Sequence, residues 1–243
     1  MHSSKTDIIA RLQKELLPLQ GFKTQCQHNN IDVDLGAINH AFPNKVFPLG
    51  VIHEFVSSTM QEAASTSGFI AGILSLLMHK QGICLWISSS RLIFPPALKL
   101  FGIDPDKIIF IDLLKEKDVL WTMEEALKCE GIGAVIGEMK ELDFTTSRRL
   151  QLAVESSRVT GFVLRKNIKT YSTTACVTRW KINALSSSLP GAMPGIGFPA
   201  WNISLLKIRN GIPGNWQLEW KNGAFSHIVQ ESLPGQVYHK KTG

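Results

Sequence analysis

Short, nearly continuous apolar runs alternate with amphipathic stretches through the middle of this chain. The runs at 51–56, 82–87, 108–111, 134–136 and 161–164 are too short for helices and lack the in–out alternation of a half-solvated strand. Strands buried on both faces of a parallel sheet have this pattern. Between them, Phe69, Ile70, Ile73 and Leu77 share one side of a helix predicted to begin near Ala63, and 117–128 predicts a second amphipathic helix. After Leu164 the helical period stops. Antiparallel strands are predicted at 175–182, 201–209 and 215–220, the last two joined through Asn210-Gly-Ile-Pro-Gly214. The expected fold class is α/β, with a mostly parallel central sheet flanked by helices and antiparallel C-terminal strands.

Outside this alternation, 6–17 reads as a helix with Ile8, Ile9, Leu12 and Leu16 on one face, ending at Pro18. It is either an interaction arm or a helix that packs on its own core. Residues 21–49 are polar and broken by Asn29-Asn30, Gly36 and Pro43, which suits a linker with at most a short helix over 35–41. The Gly, Pro and Ser content of 185–197 suits a loop. The expected organisation is an N-terminal helix and linker (1–44), a core (45–228) and a flexible tail (229–243).

Composition narrows this reading. No apolar stretch approaches the ~20 residues needed to cross a bilayer, and Met1-His-Ser-Ser-Lys-Thr-Asp leads into the amphipathic helix with no signal-peptide core. A soluble, cytoplasmic protein with no membrane contact is expected. Cys26, Cys84, Cys129 and Cys176 have no Cys-x-x-Cys spacing and the histidines show no ligand pattern, so buried thiols and no metal are expected.

The net charge of +6 conceals an asymmetry. Residues 1–155 hold 15 Lys and Arg against 18 Asp and Glu, while 156–243 hold 11 against 2. The 63 residues 156–218 contain no carboxylate and eight basic residues: Arg158, Arg165, Lys166, Lys169, Arg179, Lys181, Lys207 and Arg209. Either a surface facing nucleic acid or an acidic partner, or a solvated basic face, accounts for it. Arg148 and Arg149, at the start of a helix, could extend the same face. Trp180, Trp201, Trp216 and Trp220 lie in this C-terminal third. Trp216 is the candidate for stacking on a base or anchoring an interface, with core packing as the alternative.

The segment from Gly50 to Gly68 has the layout of a phosphate-binding loop, an apolar strand, a small polar loop and an apolar helix, without the residues that bind phosphate. Such a loop needs glycines for close backbone approach, a lysine for the β/γ oxygens and a hydroxyl for Mg²⁺. Here Ser57 stands at the first glycine, Glu62-Ala63 replaces Gly-Lys, and Ala64 replaces the hydroxyl residue. No nucleotide, metal or other cofactor and no enzymatic activity are expected.

Residues 84–104, ending in Gly102-Ile-Asp104, resemble the second strand and following helix of the RecA recombinase core, with Ser90 where that family carries its catalytic glutamate. Gly137-Glu138 stands where the family's Mg²⁺-associated aspartate ends a later strand. The resemblance covers roughly residues 45–228, and the links after Glu138 and Leu164 look truncated beside the family's DNA-holding loops. Ser147-Arg-Arg-Leu-Gln-Leu-Ala-Val-Glu155, Thr178-Arg-Trp-Lys-Ile182, Gly197-Phe-Pro-Ala-Trp-Asn202 and the hairpin from Leu205 to Trp220 resemble the ImuA family, RecA relatives without the ATP site that are related to SulA. That resemblance implies a non-catalytic accessory role in SOS-induced translesion synthesis. The implied partners are an ImuB-like Y-family polymerase homologue and a DnaE-type error-prone polymerase, with DNA or RecA as further candidates. The alternatives are a SulA-like division inhibitor binding FtsZ and an ATP- or single-strand-binding RecA paralogue.

Overall fold

The computed structural model describes residues 33–78, 82–91, 93–187 and 197–228. The expected helix at 6–17, Cys26, most of the loop at 185–197 and the tail from 229 lie outside these residues.

One nine-stranded sheet organises the chain: β1 (Ile52–Val56), β2 (Cys84–Ser88), β3 (Ile108–Asp112), β4 (Ala134–Met139), β5 (Thr160–Arg165), β6 (Thr178–Leu185), β7 (Ala200–Ile208), β8 (Gly214–Lys221) and β9 (Ala224–His227), in the order β3-β2-β4-β5-β1-β6-β7-β8-β9. Neighbours from β3 to β6 are parallel and those from β6 to β9 antiparallel, the expected architecture. Every residue of β1, β4 and β5 is buried, whereas in the edge strand β3 only Ile108 is. The central strands read as unbroken apolar runs because both their faces are covered.

On one face lie α1 (Met60–Met78), a 3-10 helix at Pro95–Phe101 and residues 33–47. The other carries α2 (Glu116–Leu127) and α3 (Phe144–Ser157). α2 buries Val119, Met123, Ala126 and Leu127, a single stripe at helical spacing. From Phe69 onwards α1 is covered nearly all round, and Phe225 and Trp220 of the C-terminal strands close over Gly72 so tightly that a side chain there would strike the Phe225 ring. Trp180, Trp201 and Trp220 are buried among Phe55, Phe69, Phe101 and Phe225, so these tryptophans serve the core.

Two expectations change. Residues 33–42, read as linker, put Leu35, Ile38 and Phe42 into the core, and the short helix there is a 3-10 turn at Gly36–Ala41. The expectation of buried thiols holds for Cys84 and Cys176, each pushed up to about 12 by burial, whereas Cys129 is exposed. Among the described residues no helix is long and apolar enough to cross a membrane.

Candidate functional site

The β1–α1 loop is closed by its own side chains. Thr59 Oγ1 accepts from the Glu62 N–H at 3.2 Å, and Glu62 Oε2 reaches back to accept from the Ser58 N–H at 2.7 Å. This is the reciprocal arrangement of a capping box, displaced by one residue on the carboxylate side. The amides at the start of a helix are where an anion would otherwise sit; here Thr59 takes the amide of Glu62, and the Glu62 carboxylate stands over the loop just before the helix. Lys181 of β6 pairs with its other oxygen at 3.2 Å. Ser57 bonds into the sheet, its N–H to the Arg165 carbonyl at 2.9 Å and its carbonyl accepting from Ile168 at 3.0 Å. Ala63 is buried and Ala64 faces solvent. A phosphate approaching this loop would meet a carboxylate.

The end of β4 is similarly occupied. Glu138 is buried, Oε1 accepting from Trp86 Nε1 at 2.6 Å and Oε2 ion-paired with Lys166. Gly137 packs under Met123, which leaves no room for a side chain. Ser90 is exposed beyond β2, followed by Arg91, which pairs with Asp112. Among the described residues no group of three or more His, Cys, Asp or Glu is placed to hold a metal ion.

A third carboxylate explains much of the acid-free stretch. Glu54, in the middle of β1 and wholly buried, receives Arg165 Nη1 at 2.8 Å, Arg179 Nε at 2.9 Å and Thr174 Oγ1 at 2.7 Å. Both arginines continue outwards: Arg165 to Ser172 Oγ and the Lys140 carbonyl, Arg179 to the Ser172 carbonyl. Lys207 and Arg209, on and just beyond β7, donate to the carbonyls of Thr174 at 2.7 Å and Ala175 at 2.9 Å. Burial pulls both below their ordinary ranges. Six of the basic residues predicted as DNA or partner contacts (Arg165, Lys166, Arg179, Lys181, Lys207 and Arg209) are thus engaged inside the molecule. Arg148 and Arg149 are exposed and pair with Glu155 and Glu124, Lys169 is exposed, and Trp216 packs half-buried against the core.

Glu54, Trp86 and Thr174 were not among the predicted site residues. A lone carboxylate in an otherwise apolar strand, with arginines ending one neighbouring run and opening another, was the available signal: a buried charge requires a partner.

No protein-family model matches the chain. It is 29% identical over 195 residues to Protein ImuA of Caulobacter vibrioides, an alignment covering 75% of this chain and 80% of that protein. It is 27% identical over 116 residues to Cell division inhibitor SulA of Yersinia pestis, covering 48% of this chain and 68% of that protein, and equally to SulA of Yersinia pseudotuberculosis. The chain is ImuA-like, with a shorter and weaker likeness to SulA.

Proposed function

We propose that this chain is a non-catalytic accessory protein of the SOS response that serves as an adaptor for an error-prone polymerase complex during translesion synthesis. The likeness to Protein ImuA supports the pathway. The observation that carries the non-catalytic half is the self-occupied β1–α1 loop, where Thr59 takes the Glu62 amide, the Glu62 carboxylate takes the Ser58 amide and Lys181 pairs with Glu62. A degenerate phosphate loop of this kind retains the scaffold of a nucleotide site and offers a triphosphate repulsion in place of a cradle. Hydrolysis would also need a base at Ser90, and Glu138 is held by Trp86 and Lys166. The partners on this reading are an ImuB-like Y-family polymerase homologue and a DnaE-type polymerase, and the protein works in the cytoplasm.

The test is genetic and biochemical together. Deletion should abolish damage-induced mutagenesis, and the tagged protein should recover both polymerases from damaged cells, with no ATP binding by calorimetry. The SulA likeness supports a second reading, division control. Filamentation on overexpression with FtsZ recovered in place of the polymerases would establish that one.

A further inference from the structure

The sheet is covered unequally. The large apolar side chains buried on β6, β7 and β8 all belong to the core under α1, and the core under α2 and α3 draws none from these strands. Along β7 the buried Trp201, Ile203 and Leu205 alternate with half-buried Asn202 and Ser204, and along β8 the buried Leu218 and Trp220 alternate with half-buried Gln217 and Glu219. Antiparallel strands with one solvated face have this pattern. Beside α3, therefore, β6, β7 and β8 present an open sheet face.

The polar residues of this face are in register. Asn183, Asn202 and Gln217 stand opposite one another on the three strands, and Lys181, Ser204 and Asn215 form the next row. At ~4.8 Å per strand, the three amides make a row about 10 Å long. None of the three side chains makes a hydrogen bond among the described residues. Each keeps an NH₂ donor and a carbonyl acceptor for a group outside the fold.

One corner of the face is basic. Arg179 of β6 stands in register with Lys207 of β7, and Arg209 follows. There Arg165, Arg179, Lys207 and Arg209 meet a single buried carboxylate, Glu54, while Arg148 and Glu155, which also act on Arg209, offset each other. The bonds from Lys207 and Arg209 to the Thr174 and Ala175 carbonyls occupy one N–H of each and leave both charges in place. Elsewhere on the face Lys181 is matched by Glu62, and one lysine, Lys221, by one glutamate, Glu219. The corner thus keeps an excess of three positive charges. Tyr171, 52% exposed, lies there with its ring centroid 5.6 Å from the Arg179 guanidinium.

A stable protein interface has an apolar centre, and the one exposed large apolar side chain on β6–β8 is Leu206. Side-chain amides in a row, beside uncompensated cations and an exposed ring, match the edges of nucleobases, phosphates and the flat face of a base. Duplex grooves are read by an inserted helix or ribbon, whereas a sheet face takes a single strand with its bases turned onto it. We infer that the open face of β6–β8 binds single-stranded nucleic acid, with Asn183, Asn202 and Gln217 on base edges and Lys207 and Arg209 on phosphates.

The experiment is fluorescence anisotropy of the full chain with a labelled mixed-sequence single strand of about 15 nucleotides. The duplex, an abasic strand of equal length and a poly-glutamate peptide are the comparisons. Two variants accompany the parent, N183A/N202A/Q217A and K207Q/R209Q, each checked by its melting curve. The single strand should bind at least ~10-fold tighter than the duplex or the abasic strand, and the amide variant should lose about 10-fold with its salt dependence unchanged. The slope of log affinity against log salt should be about −2 for three phosphate contacts, and shallower by about 1.4 in K207Q/R209Q. No binding by the parent, equal binding of duplex or abasic strand, or unchanged affinity in the amide variant overturns the inference. Binding of poly-glutamate in place of the single strand overturns it in favour of an acidic protein segment. If K207Q/R209Q does not fold, the amide variant decides alone. No polymerase enters the assay, so its failure and failure of the adaptor reading are separate results.

Discussion

The acid-free C-terminal stretch and the acid-rich first part of the chain spend their basic residues in opposite ways. Within 156–218, Arg165, Lys166, Arg179 and Lys181 pair with Glu54, Glu138 and Glu62, all contributed by the first part, and Lys207 and Arg209 hold backbone carbonyls. Lys115, Lys117 and Lys140, exposed and without an ion pair among the described residues, come from the part whose net charge is negative. The charge of a segment therefore says little about the surface it presents. What looked like an electrostatic footprint for an external partner is to a large extent internal complementarity between two halves of one fold.

The contrast is broken most severely at Glu54. Replacing it by Ala leaves Arg165 and Arg179 buried without their carboxylate, and loss of one member of a buried ion cluster costs about 3–5 kcal/mol. Arg179→Met should cost less, because Glu54 keeps Arg165 and Thr174. Urea melts of both variants measure the difference; a cost under about 1 kcal/mol for Glu54→Ala would mean that the cluster is not what holds β1, β5 and β6 together.

These interior charges were readable only in part. The central strands were legible because double burial writes itself as an apolar run, and the antiparallel finish because its alternation and turn residues survive. β9 was missed, although Asn222 and Gly223 both adopt positive φ and so carry the sequence signal of a tight hairpin. Residues 33–42 were misread because Gly36 and the asparagines around it look like linker, while Val33, Leu35, Ile38, Ala41 and Phe42, which enter the core, fill too short a run to show a sustained period. Pairing was the least legible property. The partners of Glu54 stand more than a hundred residues away, and only the sheet order β5-β1-β6 brings them together.

His53 sharpens the same contrast by pH. It is fully buried, stacked on Phe47 with ring centroids 4.5 Å apart, and bonded to Thr178 Oγ1 and the Pro48 carbonyl. Burial lowers its pKa from 6.5 to about 3. A depressed folded-state value means that the neutral form is favoured in the fold. The contribution is complete above pH 6.5 and is lost as pH falls towards 3. Between pH 7 and pH 5 this removes about 2 kcal/mol. Stability measured by denaturant titration across this range should fall by that amount in the parent protein and stay flatter in His53→Gln.

Glu62→Ala tests the closed loop on a smaller scale. Losing the carboxylate side of a capping box costs about 1 kcal/mol, and Lys181 loses its partner at a half-buried site. Hydrogen exchange should quicken at Ser58 while amides in the middle of α1 remain protected. Unchanged exchange at Ser58 would show that the loop is held by the sheet contacts of Ser57 alone.

The smallest effect belongs to the exposed arginines of α3. Arg148 and Arg149 pair with Glu155 at 3.6 Å and with Glu124, but both guanidinium groups are about half exposed, so water and salt screen them. Exposed pairs contribute about 0.2–1 kcal/mol, and R148A/R149A should change stability by no more than that. Their value lies in separating stability from binding. If the helix face they occupy contacts DNA phosphates, the double variant lowers the slope of log affinity against log salt by about two, near one unit per lost contact. If the face is only solvated, binding and its salt dependence stay unchanged, and the two arginines do no more than pair with Glu155 and Glu124 on the surface.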